Sequence, residues 1–237
     1  MNALIFAAGL GERMRPLTEH TPKPLLQAGG KPLIVWHLEK LAALGVQRVL
    51  VNTSWLAPQF PEQLGDGSRW GIALDFVYEG ATPLETGGGM WNAVQRLAAS
   101  GLGDATLLAI NGDIWTDYDF AALPREPAGD AHLVLVDNPP QHPAGDFALH
   151  AGRVASDGPA RLTFSGIGVY RPALFAGWRE VVGDTPGSEA TPPRFKLAPL
   201  LRAAMHRGRV TGEHHRGPWT DVGTPERLAA LDSALTR

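Results

Sequence analysis

Two stretches of the chain carry residue types that could hold a polyphosphate and a divalent cation. The first is Ala7-Ala8-Gly9-Leu10-Gly11-Glu12-Arg13-Met14-Arg15-Pro16-Leu17, continued by Thr21-Pro22-Lys23-Pro24-Leu25. Glycines let backbone N–H groups come close to phosphate oxygens, because no Cβ intervenes. Arg13, Arg15 and Lys23 bring charge that backbone dipoles cannot supply. Pro22 and Pro24 stiffen the chain on both sides of Lys23, which suits a lysine held in one place. Gly9-x-Gly11 by itself is a common turn pattern. The segment is not a full G-x-G-x-x-G, since position 14 is Met, nor a Walker loop, since no Gly-Lys-Ser/Thr follows. The second stretch is Asn111-Gly112-Asp113, after the apolar run from Thr106 to Ile110. A carboxylate there suits Mg²⁺, which takes few protein oxygens and leaves room for phosphates and water. Taken alone, the same three residues also read as a turn.

The elements that must position these residues follow from hydrophobic spacing. Residues 3–8 read as a buried strand, and 33–44 as a helix with Leu33, Ile34, Leu38, Leu41 and Leu44 on its buried face and Gly45 at its end. Strands are expected at 46–51, 73–78 and 106–110, with a helix at 89–99; Pro58 and Pro61 limit 55–69 to short helical pieces. This alternation predicts an α/β fold of Rossmann-like type, a mostly parallel central sheet with helices on both faces. Further on, strands are expected at 131–136, 147–150, 153–155, 163–170 and 209–214, helices at 197–206 and 225–235, and a proline-marked loop at 183–194. No repeat or linker separates the chain, so one domain is expected over 1–237. Thr224 and Pro225 form a good helix start, as N-cap and first helical residue, but leave Asp221 unexplained.

The 237 residues, 44% hydrophobic and 19% charged, suffice for a packed core. The absence of cysteine excludes disulfides, thiolate metal sites and a cysteine nucleophile. A net charge of −3 gives no support for a nucleic-acid partner, and no run approaches a membrane span or a signal peptide. A cytoplasmic protein is expected, acting without nucleic acid or membrane. His214 and His215 are adjacent on a strand and point to opposite faces, so the eight histidines are expected on the surface or in loops.

Read together, Gly9-Leu10-Gly11 through Arg15-Pro16-Leu17 and Pro22-Lys23-Pro24-Leu25 closely resemble the signature of the sugar-1-phosphate nucleotidyltransferases. The resemblance implies that Ala8, Gly9, Gly11, Glu12, Arg13 and Arg15 hold the triphosphate of an NTP and that Lys23 contacts phosphate during transfer. It implies that Asp113 is the metal aspartate, with Asn111 beside it in the nucleotide site. Trp219-Thr220-Asp221-Val222-Gly223-Thr224-Pro225 resembles the family's late motif, which makes Asp221 the second Mg²⁺ carboxylate. Arg15, Lys23 and Asp113 are then the catalytic set.

The resemblance runs from residue 3 to about 230. Leu84-Glu85-Thr86-Gly87-Gly88 stands where the family has a Gly-rich loop against the base, and Glu79 at a position that is Glu or Gln in relatives. Thr86, Gly87 and Gly88 are thus implied to bind nucleotide, whereas Glu85 replaces a common Gly and could face the sugar or the base. Thr163–Tyr170 resembles the sugar-facing strand, which implies a sugar role for Ser165 and Gly166, with Asp146 and Lys196 as further candidates. The nucleotide half is expected over roughly 1–115 and the sugar half beyond it. One departure stands out: relatives often carry Glu-Lys-Pro where this chain has Asp137-Asn138-Pro139, so Lys196 or Arg153 would have to replace that lysine. The run His142-Pro143-x-Gly145-Asp146-Phe147 and the short length resemble one branch, which uridylylates N-acetylmuramate 1-phosphate in bacterial cell-wall recycling. UTP and a sugar 1-phosphate are the implied substrates, with a monomer or small homo-oligomer as the working form. Thymidylyl or guanylyl transfer to glucose or mannose 1-phosphate is the alternative within the family. A non-catalytic sugar-nucleotide sensor is the alternative outside it, and a dehydrogenase is disfavoured by the missing third glycine.

Overall fold

The computed structural model describes residues 1–236. Its elements are, in order, β1 (Asn2–Phe6), β2 (Gln27–Ala28), β3 (Lys31–Pro32), α1 (Leu33–Ala43), β4 (Arg48–Thr53), α2 (Gln59–Leu64), β5 (Ala73–Tyr78), α3 (Glu85–Ala99), β6 (Leu107–Asn111) and β7 (Ile114–Thr116). There follow β8 (Ala131–Val136), β9 (Phe147–His150), β10 (Arg153–Ala155), β11 (Arg161–Tyr170), α4 (Trp178–Val182), α5 (Ala198–His206), β12 (Val210–His215), β13 (Trp219–Asp221) and α6 (Pro225–Leu235). They form two compact units. The first comprises Asn2–Pro83, Ile110–Ala121 and Pro218–Arg237; the second comprises Met1, Leu84–Ala109 and Ala122–Gly217. The units interleave along the chain, so the C-terminal stretch with Asp221 belongs to the same unit as Lys23 and Asp113.

In the first unit β1, β4 and β5 are parallel, with Ala3 opposite Val49 and Val49 opposite Leu74. Parallel neighbours need crossovers, and α1 and α2 supply them. α1 ends in a Schellman motif, where Gly45 (φ 79°) donates to Ala42 O and Val46 donates to Leu41 O, which sets the entry into β4. A core of Met14, Leu26, Ala28, Leu33, Val222 and Leu231 joins the N-terminal loop to α6. Two small ladders were not foreseen: β2 with β3, and β7 antiparallel to β13.

The second unit corrects the expectation of a mostly parallel sheet. β11 is antiparallel to β8 and β9, β10 is antiparallel to β9 and β12, and β12 is parallel to β8. The cause is local. β9 and β10 are joined by Ala151-Gly152 alone, both with positive φ (47° and 76°), and a two-residue turn of that kind can only close an antiparallel hairpin. Strand pairing in the second unit is therefore mixed.

Two further expectations change. α3 begins at Glu85, not residue 89, so Thr86, Gly87 and Gly88 form a first helical turn and not a loop. The glycines there admit a neighbouring chain: a Cβ on Gly87 would lie 2.5 Å from the Phe195 ring and one on Gly88 would lie 2.3 Å from Pro193 O. The histidines are not all superficial either. His37 is 1% exposed, and its ring stacks on Phe120.

Candidate active site

The glycine loop leaves β1 at Ala7, whose N–H donates to Asn52 Oδ1 at 2.7 Å; Asn52 Nδ2 in turn donates to Glu79 Oε1 at 2.8 Å. Asn52 and Glu79 are both buried, so this chain of two bonds fixes where the loop starts. Gly11 (φ 65°) turns the backbone in the left-handed region, and its carbonyl accepts from Thr18 Oγ1 at 2.7 Å. Gly9 differs, since a Cβ there would meet nothing within 4 Å. Packing does not demand glycine at position 9, and the space beside it is open. Glu12, Arg13 and Arg15 lie exposed on the following turn, and neither arginine is ion-paired among the described residues.

Lys23 begins a tight turn after Pro22, closed by Leu25 N–H to Pro22 O and Leu26 N–H to Lys23 O. The side chain is almost fully buried, and its Nζ lies 2.5 Å from Asp113 Oδ2. Asp113 follows Gly112, which passes close under β1: its N–H donates to Phe6 O, and a Cβ would stand 2.7 Å from that oxygen. Asn111 ends β6 beside it, half-buried. The β7–β13 ladder sets Asp221 opposite Ile114, and Val222 N–H donates to Asp113 O at 2.8 Å. Thus the structure brings Lys23, Asp113 and Asp221 together from three remote segments. Asp221 meets a second cation, Arg227, whose Nη1 is 2.5 Å from Asp221 Oδ1.

Behind β7, α1 acts as a clamp. His37 Nε2 lies 2.9 Å from Ile114 O, an acceptor that requires the ring nitrogen to carry the proton. Burial lowers the His37 pKa to about 4, so the ring stays neutral. Lys40 donates to Thr116 O and Tyr118 O, and burial lowers its pKa too.

No cluster of three or more acidic or histidine ligands exists among the described residues. Mg²⁺ is commonly held by one or two carboxylates plus substrate phosphates. Asp113 and Asp221 fit on an observation of their own: each attracts a cationic side chain, Lys23 and Arg227 respectively.

The remaining candidates lie in the second unit. Glu85 has a positive φ of 63° and pairs with Arg194 at 3.3 Å, and Thr86 Oγ1 accepts from Leu197 N–H at 3.2 Å. With Gly87 and Gly88 they dock the 193–197 segment; Lys196 there is exposed and unpaired among the described residues. Ser165 is buried, its hydroxyl donating to Val134 O, at a bulge turned by Gly166 (φ 84°). Asp146 accepts from Phe164 N–H at 2.8 Å and lies 3.1 Å from His142 Nε2. Asn138, at the position of the missing lysine, ties its neighbours together: it accepts from Thr163 Oγ1 and donates to Arg161 O and Pro143 O. Arg153 donates to Gly208 O.

Sequence reasoning missed Asn52, His37, Arg194 and Arg227. Asn52 was detectable as a polar residue inside an otherwise apolar strand. Arg227 was detectable as a cation in a helix's first turn.

Residues 2–149 match the profile of the nucleotidyl transferase family, and the chain belongs to that family. It is 45% identical to the N-acetylmuramate alpha-1-phosphate uridylyltransferase of Neisseria meningitidis, over 96% of this chain and 95% of the relative. It is 32% identical to the protein of the same name from Caulobacter vibrioides, over 98% and 96%. Among solved structures, a Bacillus anthracis protein described as a glucose-1-phosphate thymidylyltransferase superposes with a TM-score of 0.80 at 20% identity, covering 100% of this chain and 95% of that one. That likeness speaks for the fold.

Proposed function

We propose that this enzyme transfers a uridylyl group from UTP to N-acetylmuramate 1-phosphate, releasing pyrophosphate and forming the UDP-sugar. The observation that carries the chemistry is the convergence of Lys23, Asp113 and Asp221 on one unit, beside a glycine loop with open space at Gly9. The substrates come from the likeness to the Neisseria and Caulobacter uridylyltransferases along nearly the whole of both chains.

An oxygen of the acceptor's phosphate attacks the α-phosphorus of UTP. The bond to the bridging oxygen breaks, and pyrophosphate leaves with that electron pair. A phosphate dianion is already a nucleophile, so no general base is needed, and catalysis is positioning with charge neutralisation. Mg²⁺ held by Asp113 and Asp221 would supply charge neutralisation at the phosphates. Lys23, fixed by its turn, stabilises the oxygens of the transferring phosphorus; Arg13, Arg15 and the loop amides hold the departing pyrophosphate. Asn52 and Glu79 hold the loop in place for this. Glu79, Asn111, Thr86, Gly87 and Gly88 are proposed for the nucleotide, and Glu85, Asp146, Ser165, Gly166 and Lys196 for the sugar. Ser165 would contribute through its bulged backbone, because its hydroxyl is already committed. Among the described residues no helix is long and apolar enough to cross a membrane. The reading carries with it a cytoplasmic place in cell-wall recycling, as a monomer or small homo-oligomer.

The test is pyrophosphate release with Mg²⁺, crossing UTP, dTTP, GTP, CTP and ATP against a panel of sugar 1-phosphates. The highest turnover is expected for UTP with N-acetylmuramate 1-phosphate. A different preferred pair would overturn the substrate assignment, and no release with any pair would overturn catalysis itself.

A further inference from the structure

Arg227 is the third residue of α6, whose Thr224 N-cap accepts from the Arg227 N–H and whose Pro225 opens the helix. A cation in a first helical turn opposes the helix dipole, and the stabilising choice at this position is the Glu or Gln of a capping box. The charge of Arg227 therefore does nothing for its own helix. Its guanidinium turns back to Asp221, with both side chains partly exposed, at 22% and 29%.

The route explains a neighbouring glycine. Gly223 is not in the left-handed region, so its backbone alone does not demand glycine. A Cβ there would stand 2.2 Å from Arg227 Nη2 and 3.0 Å from both Arg227 Cζ and Asp221 Oδ2. Glycine at 223 is what lets the guanidinium lie against the carboxylate.

We propose that Arg227 is a positioning residue: seated over Gly223, it fixes the carboxylate of Asp221 in the orientation from which that aspartate serves the divalent cation. This rests on Asp221 being a cation ligand. Groups that hold a ligand from behind typically matter about 10–100-fold in metal affinity or activity. The repulsion between a guanidinium and a divalent cation is weakened by solvent at this partly exposed pair.

The test is Mn²⁺ binding to the intact protein without substrates, followed by the electron paramagnetic resonance signal of free Mn²⁺. Arg227→Ala and Gly223→Ala are each expected to weaken binding about tenfold. The double variant should be no weaker than either single one, because both remove the same contact. Arg227→Lys, which keeps a cation but not the guanidinium fork, should recover part of the loss. Thermal melts by circular dichroism establish that each variant is folded. Wild-type or tighter Mn²⁺ binding by Arg227→Ala, or additive losses in the double variant, would overturn the proposal. Wild-type binding by Asp221→Asn would instead overturn the cation role of Asp221, a failure separable from that of Arg227.

Discussion

Val222 donates its backbone N–H to the carbonyl oxygen of Asp113 at 2.8 Å, and this one bond sets the spacing of the two candidate metal aspartates. It extends the β7–β13 ladder, whose last pair is Asp221 opposite Ile114. Asp113 itself supplies the acceptor and Asp221 immediately precedes the donor, so the two carboxylates share a backbone frame and do not depend on loop flexibility.

The Asn52 relay should couple stability to nucleotide binding. Asn52→Leu removes the donor to Glu79 Oε1 and the acceptor for Ala7 N–H, leaving buried polar groups without these partners. The expected loss is about 2–3 kcal/mol in urea unfolding, the cost of stranding such groups. The KM for UTP should rise with it, since the loop start is no longer fixed. An unchanged KM with lowered stability would confine Asn52 to the core.

His37 should make the protein acid-sensitive. Its folded pKa, lowered by burial to about 4, lies below the ordinary value of 6.5. The unfolded chain therefore takes up the proton first, so stability is unaffected above about pH 6.5 and falls as pH drops toward 4. At about 1.4 kcal/mol per unit across that window, the loss is on the order of 3 kcal/mol. His132, whose pKa burial also lowers, acts in the same direction. Unfolding free energies of wild type and His37→Gln, measured from pH 7 to 4.5, should diverge below pH 6.5; parallel curves would contradict this.

Glu85 occupies a backbone conformation that favours glycine, at φ 63°. Glu85→Gly should raise stability by about 0.5–1 kcal/mol through release of that strain. The lost pair with Arg194, whose side chains are 42% and 37% exposed, offsets little of this. Calorimetry would show the higher Tm. A lower Tm would mean that the Glu85–Arg194 pair anchors the 193–197 segment more strongly than a surface pair does.

Local pattern made much of the fold legible. The helix at 33–44 was marked by its apolar spacing and Gly45, and the structure ends α1 one residue earlier with the Schellman bonds in place. The Thr224-Pro225 start of α6 was readable for the same reason. What stayed hidden depended on partners distant in sequence. Ile114-Trp115-Thr116 are strand-favouring types, but three residues are too few to mark a strand, and its ladder exists only once Trp219–Asp221 returns to it. The glycines at 87 and 88 looked like a loop because their reason, the passage of Pro193 and Phe195, lies over a hundred residues away. The strand at 153–155 was visible, but its direction followed from the Ala151-Gly152 turn, which the alternation of strands and helices elsewhere masked. In the site, motif residues were legible as types, whereas Asn52 and Arg227 acquire their roles only through contact with Ala7 and Asp221.

The most direct test follows label from UTP carrying ³²P at the α-position into the UDP-sugar, with N-acetylmuramate 1-phosphate and Mg²⁺. Wild type, Lys23→Ala, Asp113→Asn and Asp221→Asn are compared, each verified as folded. Labelled UDP-sugar should form with wild type and fall by about 10²–10³ in each variant, the scale set by removing one group that stabilises transition-state charge. Label transfer at the wild-type rate by either aspartate variant or by Lys23→Ala would contradict the account.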